Sequence, residues 1–215
     1  MKTKRQYSDR VMFRLQNDHR NIDWKIDERQ VFLMLDEVVN SLAADNYFAN
    51  WKLTGAGIDE GFITTFEPVT VVDPAGGVFS YLDIPCNWAA LPKNRGIDGV
   101  YPLKYTEEST QSVIVMSHME YRQFMNNPAR NMQGRLFGFL KGMRLTFGTC
   151  EVGKKYGTQF GVRLVVRDSS QIGLDQWYPI PSDFEDDVID RVVEKLLVKR
   201  MTPTDSVRDN KDQAA

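Results

Sequence analysis

The chain has 215 residues, 42% of them hydrophobic and 26% charged, with a formal net charge of −2 and a sequence pI near 5.8. A chain of this length buries roughly 70% of its unfolded surface, so it needs neither disulfides nor a metal to fold. Composition excludes several classes: there is no basic excess of a dedicated nucleic-acid binder, no run of about 18 apolar residues to span a membrane, and no apolar signal segment behind the basic start MKTKRQYSDR.

The first element in the chain is a short helix expected over Ser8 to His19, with Val11, Met12 and Leu15 on one side. Asn17 to Asp23 is polar and turn-prone. The strongest helix signal follows, from Asp27 to Leu53. Asp27 is placed as N-cap, Gln30 as its capping-box partner, and Ile26 and Val31 as a hydrophobic staple. Val31, Leu35, Val38 and Leu42 form one apolar row, with Phe32, Val39 and Ala43 beside it. That width suits packing on more than one neighbour.

Beyond a glycine-rich break at TGAGIDEG, FITTFEPVTVVD reads as strand, with Pro68 arguing for an edge or an interruption. VFSYLDI is a second strand. Pro85 to Leu103 reads as irregular chain anchored by Trp88, Leu91 and Tyr101. SVIVMS (112–117) is expected to be a short buried strand, and Met119 to Asn126 one or two helical turns ended by Asn127-Pro128. The stretch after it predicts two or three strands with glycine-rich turns. In Gly161 to Arg167, Val162, Leu164 and Val166 alternate with Arg163, Val165 and Arg167. Ser182 and Glu185 are spaced as a capping box for a last helix to Arg200. Phe184, Val188, Val192 and Leu196 line one row of it, and its acidic start and basic end follow the helix dipole.

Terminal helices around a β-rich middle, without βαβ alternation, indicate an α+β fold. The expected arrangement is a small helical bundle, from helices within 8–53 and 182–200, bracketing an antiparallel insert at 60–168. Residues 1–200 form one domain, and the polar segment 201–215 is an extended C-terminal tail or arm.

Chemistry is hard to find. Gly148 to Lys154 fits all but the last position of a phosphate loop, GxxxxGK[ST]. However, Lys155 stands where a magnesium-binding hydroxyl belongs, and strand-like sequence follows where a helix is needed. A turn between strands is the better reading. His19 and His118 are isolated, and Cys86 and Cys150 lie far apart without CxxC, so the cysteines read as free thiols in a reducing compartment, with a structural disulfide as the lesser alternative. Carboxylate pairs at Asp59-Glu60 and Glu107-Glu108 fall in turn-like stretches, and Asp186-Asp187 serves a helix start. Lys141, Arg144, Lys154, Lys155 and Tyr156 form a possible nucleic-acid face, although lysine-guarded strand edges look the same. No catalytic, cofactor-binding or metal residue is assigned, and no cofactor is expected.

DERQVFLMLDEVVNSLAADNYFANWKLTG, FITTFEPVTVV, LPKNRGIDGVYPL and WYPIPSDFEDDVIDRVVEKLL together resemble a family of phage neck structural proteins. These are head-to-tail connector or adaptor rings of crAss-like and related tailed phages of Bacteroidetes. The resemblance covers most of the chain through structural motifs. It implies a non-enzymatic virion protein, made in the host cytoplasm, that assembles with itself into a ring, commonly twelvefold. It also implies contact with portal and adjoining neck or tail rings, with DNA only passing through the lumen, no membrane, and a C-terminal segment at Met201–Ala215 that grips portal. The readings outside this family are a ligand-binding or enzymatic α+β domain with a scattered site, and a DNA-binding accessory protein.

Overall fold

Helix α2 (Glu28–Thr54) begins where Asp27, in extended backbone, turns its carboxylate to accept from the Arg29 N–H at 3.0 Å. The Gln30 backbone N–H bonds the Asp27 carbonyl at 2.8 Å, so this start is capped by Asp27 alone rather than by the reciprocal box. The helix stops at Gly55, whose φ of 69° lies in the left-handed region and whose N–H returns to the Trp51 carbonyl. The computed structural model describes residues 2–18, 26–76, 78–92, 95–104, 112–126 and 136–201. The turn expected at 17–23 lies largely outside them, as do His19, Glu107-Glu108, Asn127-Pro128 and nearly all of the tail.

Helix α1 (Lys4–Asp18) starts earlier than the apolar spacing from Ser8 suggests. The cause is a reciprocal cap: the Gln6 N–H donates to Thr3 Oγ1, and the Thr3 N–H donates to Gln6 Oε1. Helix α5 (Glu185–Met201) also departs from expectation. Ser182–Phe184 is a 3-10 turn, and the Ser182 hydroxyl bonds Asp183 at 3.1 Å. Glu185 bonds Lys2, Tyr7 and Arg10, so the Ser182/Glu185 capping box does not exist.

These three helices pack pairwise as a bundle. Val11, Leu15, Val31, Leu35, Val188 and Val192 are fully buried within it. Each such side chain contributes about 1.5–3 kcal/mol relative to exposure. Ion pairs Lys195–Glu37 (2.6 Å) and Arg191–Asp45 (3.9 Å) set α5 antiparallel to α2.

Between the helices in sequence lies a seven-stranded sheet of order β3-β7-β1-β2-β6-β5-β4. Its strands are β1 (Thr64–Val72), β2 (Tyr81–Asp83), β3 (Ile97–Pro102), β4 (Ile114–Met116), β5 (Phe137–Lys141), β6 (Arg144–Phe147) and β7 (Gln159–Leu164). It is mixed rather than wholly antiparallel, because β4 runs parallel to β5 after helix α3 (His118–Met125). Ser117 and Glu120 cap α3 reciprocally. The expected buried strand at 112–117 is this end strand, half-exposed throughout. Within Pro85–Leu103, expected to be irregular, β3 pairs with β7. Gly96 makes that possible: a Cβ there would stand 1.9 Å from the Ala89 carbonyl oxygen.

Pro68 marks an interruption, with a register shift between Phe66 and Val69. The alternation expected over Gly161 to Arg167 holds at Val162, Arg163 and Leu164 but fails at Val165, which is buried just past the end of β7. The sheet curls until its ends meet, where the Val113 N–H donates to the Val100 carbonyl at 2.7 Å. Leu82, Leu145, Phe147, Phe160 and Val162 join α2 and α5 in one apolar cluster. No helix among the described residues is long and apolar enough to cross a membrane.

Candidate functional site

The phosphate-loop-like stretch is the first place to look for chemistry. Between β6 and β7 it forms not a plain turn but a turn leading into the five-residue helix α4 (Val152–Tyr156). Its leading N–H groups are already occupied. The Asp73 carboxylate accepts from Gly153 and Lys154, each at 3.1 Å, and from the Ser80 hydroxyl, while Ser80 Oγ accepts from the Val152 N–H at 3.0 Å. Burial alone would raise the Asp73 pKa, but these hydrogen bonds outweigh it and hold the carboxyl below its usual range. A Cβ on Gly153 would come within 2.7 Å of Asp73 Oδ2, so glycine is what allows the approach. The chain has placed its own anion where a phosphate would sit.

The other flagged residues are similarly absorbed. His118 opens α3 and meets the Phe139 ring edge-on at 5.5 Å. Cys86 is buried and Cys150 exposed, both as free thiols. Burial, with Asp168 nearby, pushes the Cys86 thiol up to about 11. Asp59 bonds Asn46 and Asn50, which ties the loop after α2 back to that helix, and Glu60 pairs with Arg163. Among the described residues, no cluster of His, Cys, Asp or Glu could hold a metal.

The basic face loses much of its charge on inspection. Arg144 pairs with Asp83 at 2.7 Å over the Tyr81 ring, and Lys154 pairs with Glu151 at 2.5 Å. Tyr156, its one aromatic, is buried with Lys155 above it, and cannot stack on a base.

Two arrangements were not legible in the sequence. The first is a polar strap at the N-terminus. Lys4 is almost wholly buried, its amine donating to Asp36 and Ser169 and standing 5.0 Å from the Phe32 ring. Asp36 also accepts from the Tyr178 hydroxyl. Beside it, Lys2, Tyr7 and Arg10 converge on Glu185, and the Tyr178 N–H bonds the Lys2 carbonyl at 3.1 Å. Burial resists ionisation of Glu185, yet these donors prevail and lower its pKa. Every group here is engaged with its neighbours, so the cluster ties helices together and offers nothing to a substrate.

The second arrangement is apolar and faces outward. On α2, Leu33 and Trp51 lie on the helix face opposite the core row with Phe48 to one side of it, and Leu53 stands in the last turn on a different side of the helix. They are 64%, 47%, 45% and 82% exposed. On the other side of the bundle a groove of about 770 Å³ runs between α1 and α5. It is lined by Asp9, Arg10, Phe13, Arg14, Asn17 and Ile189, with Phe13 68% exposed. Scattered exposed hydrophobics are ordinary, but large ones gathered on one helix face mark contact surfaces. No family model matches the chain, and no curated protein is similar enough to identify a relative.

Proposed function

We propose that this chain is a non-enzymatic subunit of a phage neck ring, which joins portal to tail and lets DNA pass through its lumen. The observation that carries this reading is the second apolar face of α2. The helix fills its core row with Val31, Leu35, Val38 and Leu42, and still presents Leu33, Phe48 and Trp51 to solvent. A subunit built to assemble needs both faces. Bracketing helices around a β-rich middle agree with the architecture that the family resemblance implies. The same resemblance supplies the rest of the proposal: a homo-oligomer, commonly twelvefold, located in the virion neck and bound to portal and adjoining rings.

Mass photometry and negative-stain imaging of the purified chain, alone and with portal, test it. Rings, or recruitment of the chain by portal, are the expected outcomes. A chain that stays monomeric and never associates with portal or virions would exclude the role. A DNA-binding accessory role is disfavoured by the ion pairs of Arg144 and Lys154. It would require salt-sensitive binding with a steep slope.

A further inference from the structure

We infer that a groove along the edge of β1 takes an added strand, residues 202–207 reaching over from a neighbouring copy. This deepens the ring reading by naming what joins the copies, and rests on it for the premise that copies stand side by side. Strand β1 lies between β7 and β2, yet β2 meets it only at Val71 and Val72. Its first half therefore has a strand on one side only. The Val165 N–H bonds the Gly96 carbonyl, and the Gln159 carbonyl takes the Leu103 N–H, so odd-numbered residues here turn their main chain toward β3. That leaves Phe160, Val162 and Leu164 to bond β1, through Val69, Phe66 and Thr64. Thr65 and Glu67 consequently point their N–H and C=O groups away from β7, and those groups have no hydrogen-bond partner among the described residues.

The two residues open into a groove of about 540 Å³. Consecutive residues Ile63 to Glu67 line it, rather than the alternate ones that a sheet face would give, so it follows the strand edge. Its far wall is Gln176 to Pro179. There the Tyr178 N–H bonds Lys2 and Trp177 stands opposite Thr3, which turns the Trp177 main chain the other way, again without a partner among the described residues. Two unpaired main-chain margins thus border one recess. A single extended segment satisfies them, whereas a whole sheet edge from another molecule would meet the Trp177 wall.

The chain carries such a segment beyond α5. Pro203 holds Thr202 extended, and Thr204 and Val207 favour strands. From Asp209 onward come Asp, Asn, Lys, Gln and Ala, mostly types that strands exclude. Reach decides whose groove is entered. Tyr178 and Pro179 line the groove, and a Cβ on Gly61, which also lines it, would stand 2.7 Å from Pro181, so the groove lies at the Glu185 end of α5. Helix α5 has 17 residues and is roughly 25 Å long. Six residues leaving its Met201 end span at most roughly 20 Å. Residues 202–207 therefore fall short of their own groove and fit that of another copy. One short added strand is a weak contact, and closure or a portal template is what makes it persist.

The test uses the full chain in sedimentation velocity, where self-association is expected. Thr65→Pro removes one outward N–H, spares the bonds to β7, and should weaken association by about tenfold or more. Thr204→Pro with Ser206→Pro should weaken it as much and leaves every described element untouched. Unchanged circular dichroism confirms folding of each variant. The first variant keeps only the segment and the second only the groove, so neither should associate alone and a mixture of the two should form pairs. Association indifferent to both sets of changes, or a mixture that forms no pairs, would overturn the exchange. A full chain monomeric at its solubility limit would also overturn it, and protection of the Thr65 and Glu67 amides in that monomer would assign the groove to its own segment. If copies assemble on portal and neither set of changes matters, the exchange is wrong and the neck role survives. If mixing restores pairs that portal never recruits, the exchange stands and the neck role falls.

Discussion

At the residue scale, the most consequential group is Asp36, a carboxylate on α2 that no sequence pattern singles out. It accepts from the Lys4 amine and the Tyr178 hydroxyl, and the Ser169 backbone N–H approaches it at 3.5 Å. Asp36→Ala should cost about 3 kcal/mol in urea unfolding, because it strands the Lys4 ammonium in a buried site. Tyr178→Phe removes one hydroxyl donor and should cost only about 1 kcal/mol. The two thiols also differ in kind. An aromatic disulfide reagent at pH 8 should label Cys150 promptly and Cys86 only after unfolding, since Cys86 is buried and its pKa is raised to about 11. Gly96→Ala should destabilise by about 3 kcal/mol or more, as the added methyl meets backbone rather than a movable side chain.

At the element scale, Glu185 shows how a helix terminus can be anchored from a distance. Its folded-state pKa is depressed, so its contribution to stability is fully present above the usual carboxyl value of 4.5 and is lost as pH falls through the lower folded value. A Glu185→Gln variant should melt below the parent at neutral pH, and the gap should close under acid, as thermal unfolding across pH would record. The same residue shows where sequence reading fails. Ser182-x-x-Glu185 has the spacing of a capping box, but Lys2, Tyr7 and Arg10 compete for the carboxylate from far along the chain, and tertiary donors win. Conversely, the Thr3/Gln6 cap is a purely local pairing, a hydroxyl and an amide three residues apart. The extent of α2 and the apolar rows of α2 and α5 were legible because periodicity records burial directly. β3 was not legible, because Pro102 marks an ending and its strand character depends on β7 and on Gly96.

At the scale of the whole molecule, sequence conveyed the α+β class but neither the parallel β4–β5 pair nor the outward apolar faces. An alternation records which side of a strand is buried, not which strand lies beside it. Likewise, a wide stripe does not say where one neighbour stops and the next begins. The neck proposal adds a prediction at this scale. Truncation after Arg200 should leave folding intact but abolish stable assembly with portal, and assembly that proceeds without the tail would remove any gripping role for residues 201–215. The meeting of Val113 with Val100 has a dynamic consequence. β1 pairs with β7 over Thr64–Thr70 but with β2 only at Val71 and Val72. The sheet is therefore two panels sharing a narrow joint, with the Val113–Val100 hydrogen bond latching their free margins. Amide exchange should show those panels opening as separate units, with the Val113 amide exchanging ahead of both.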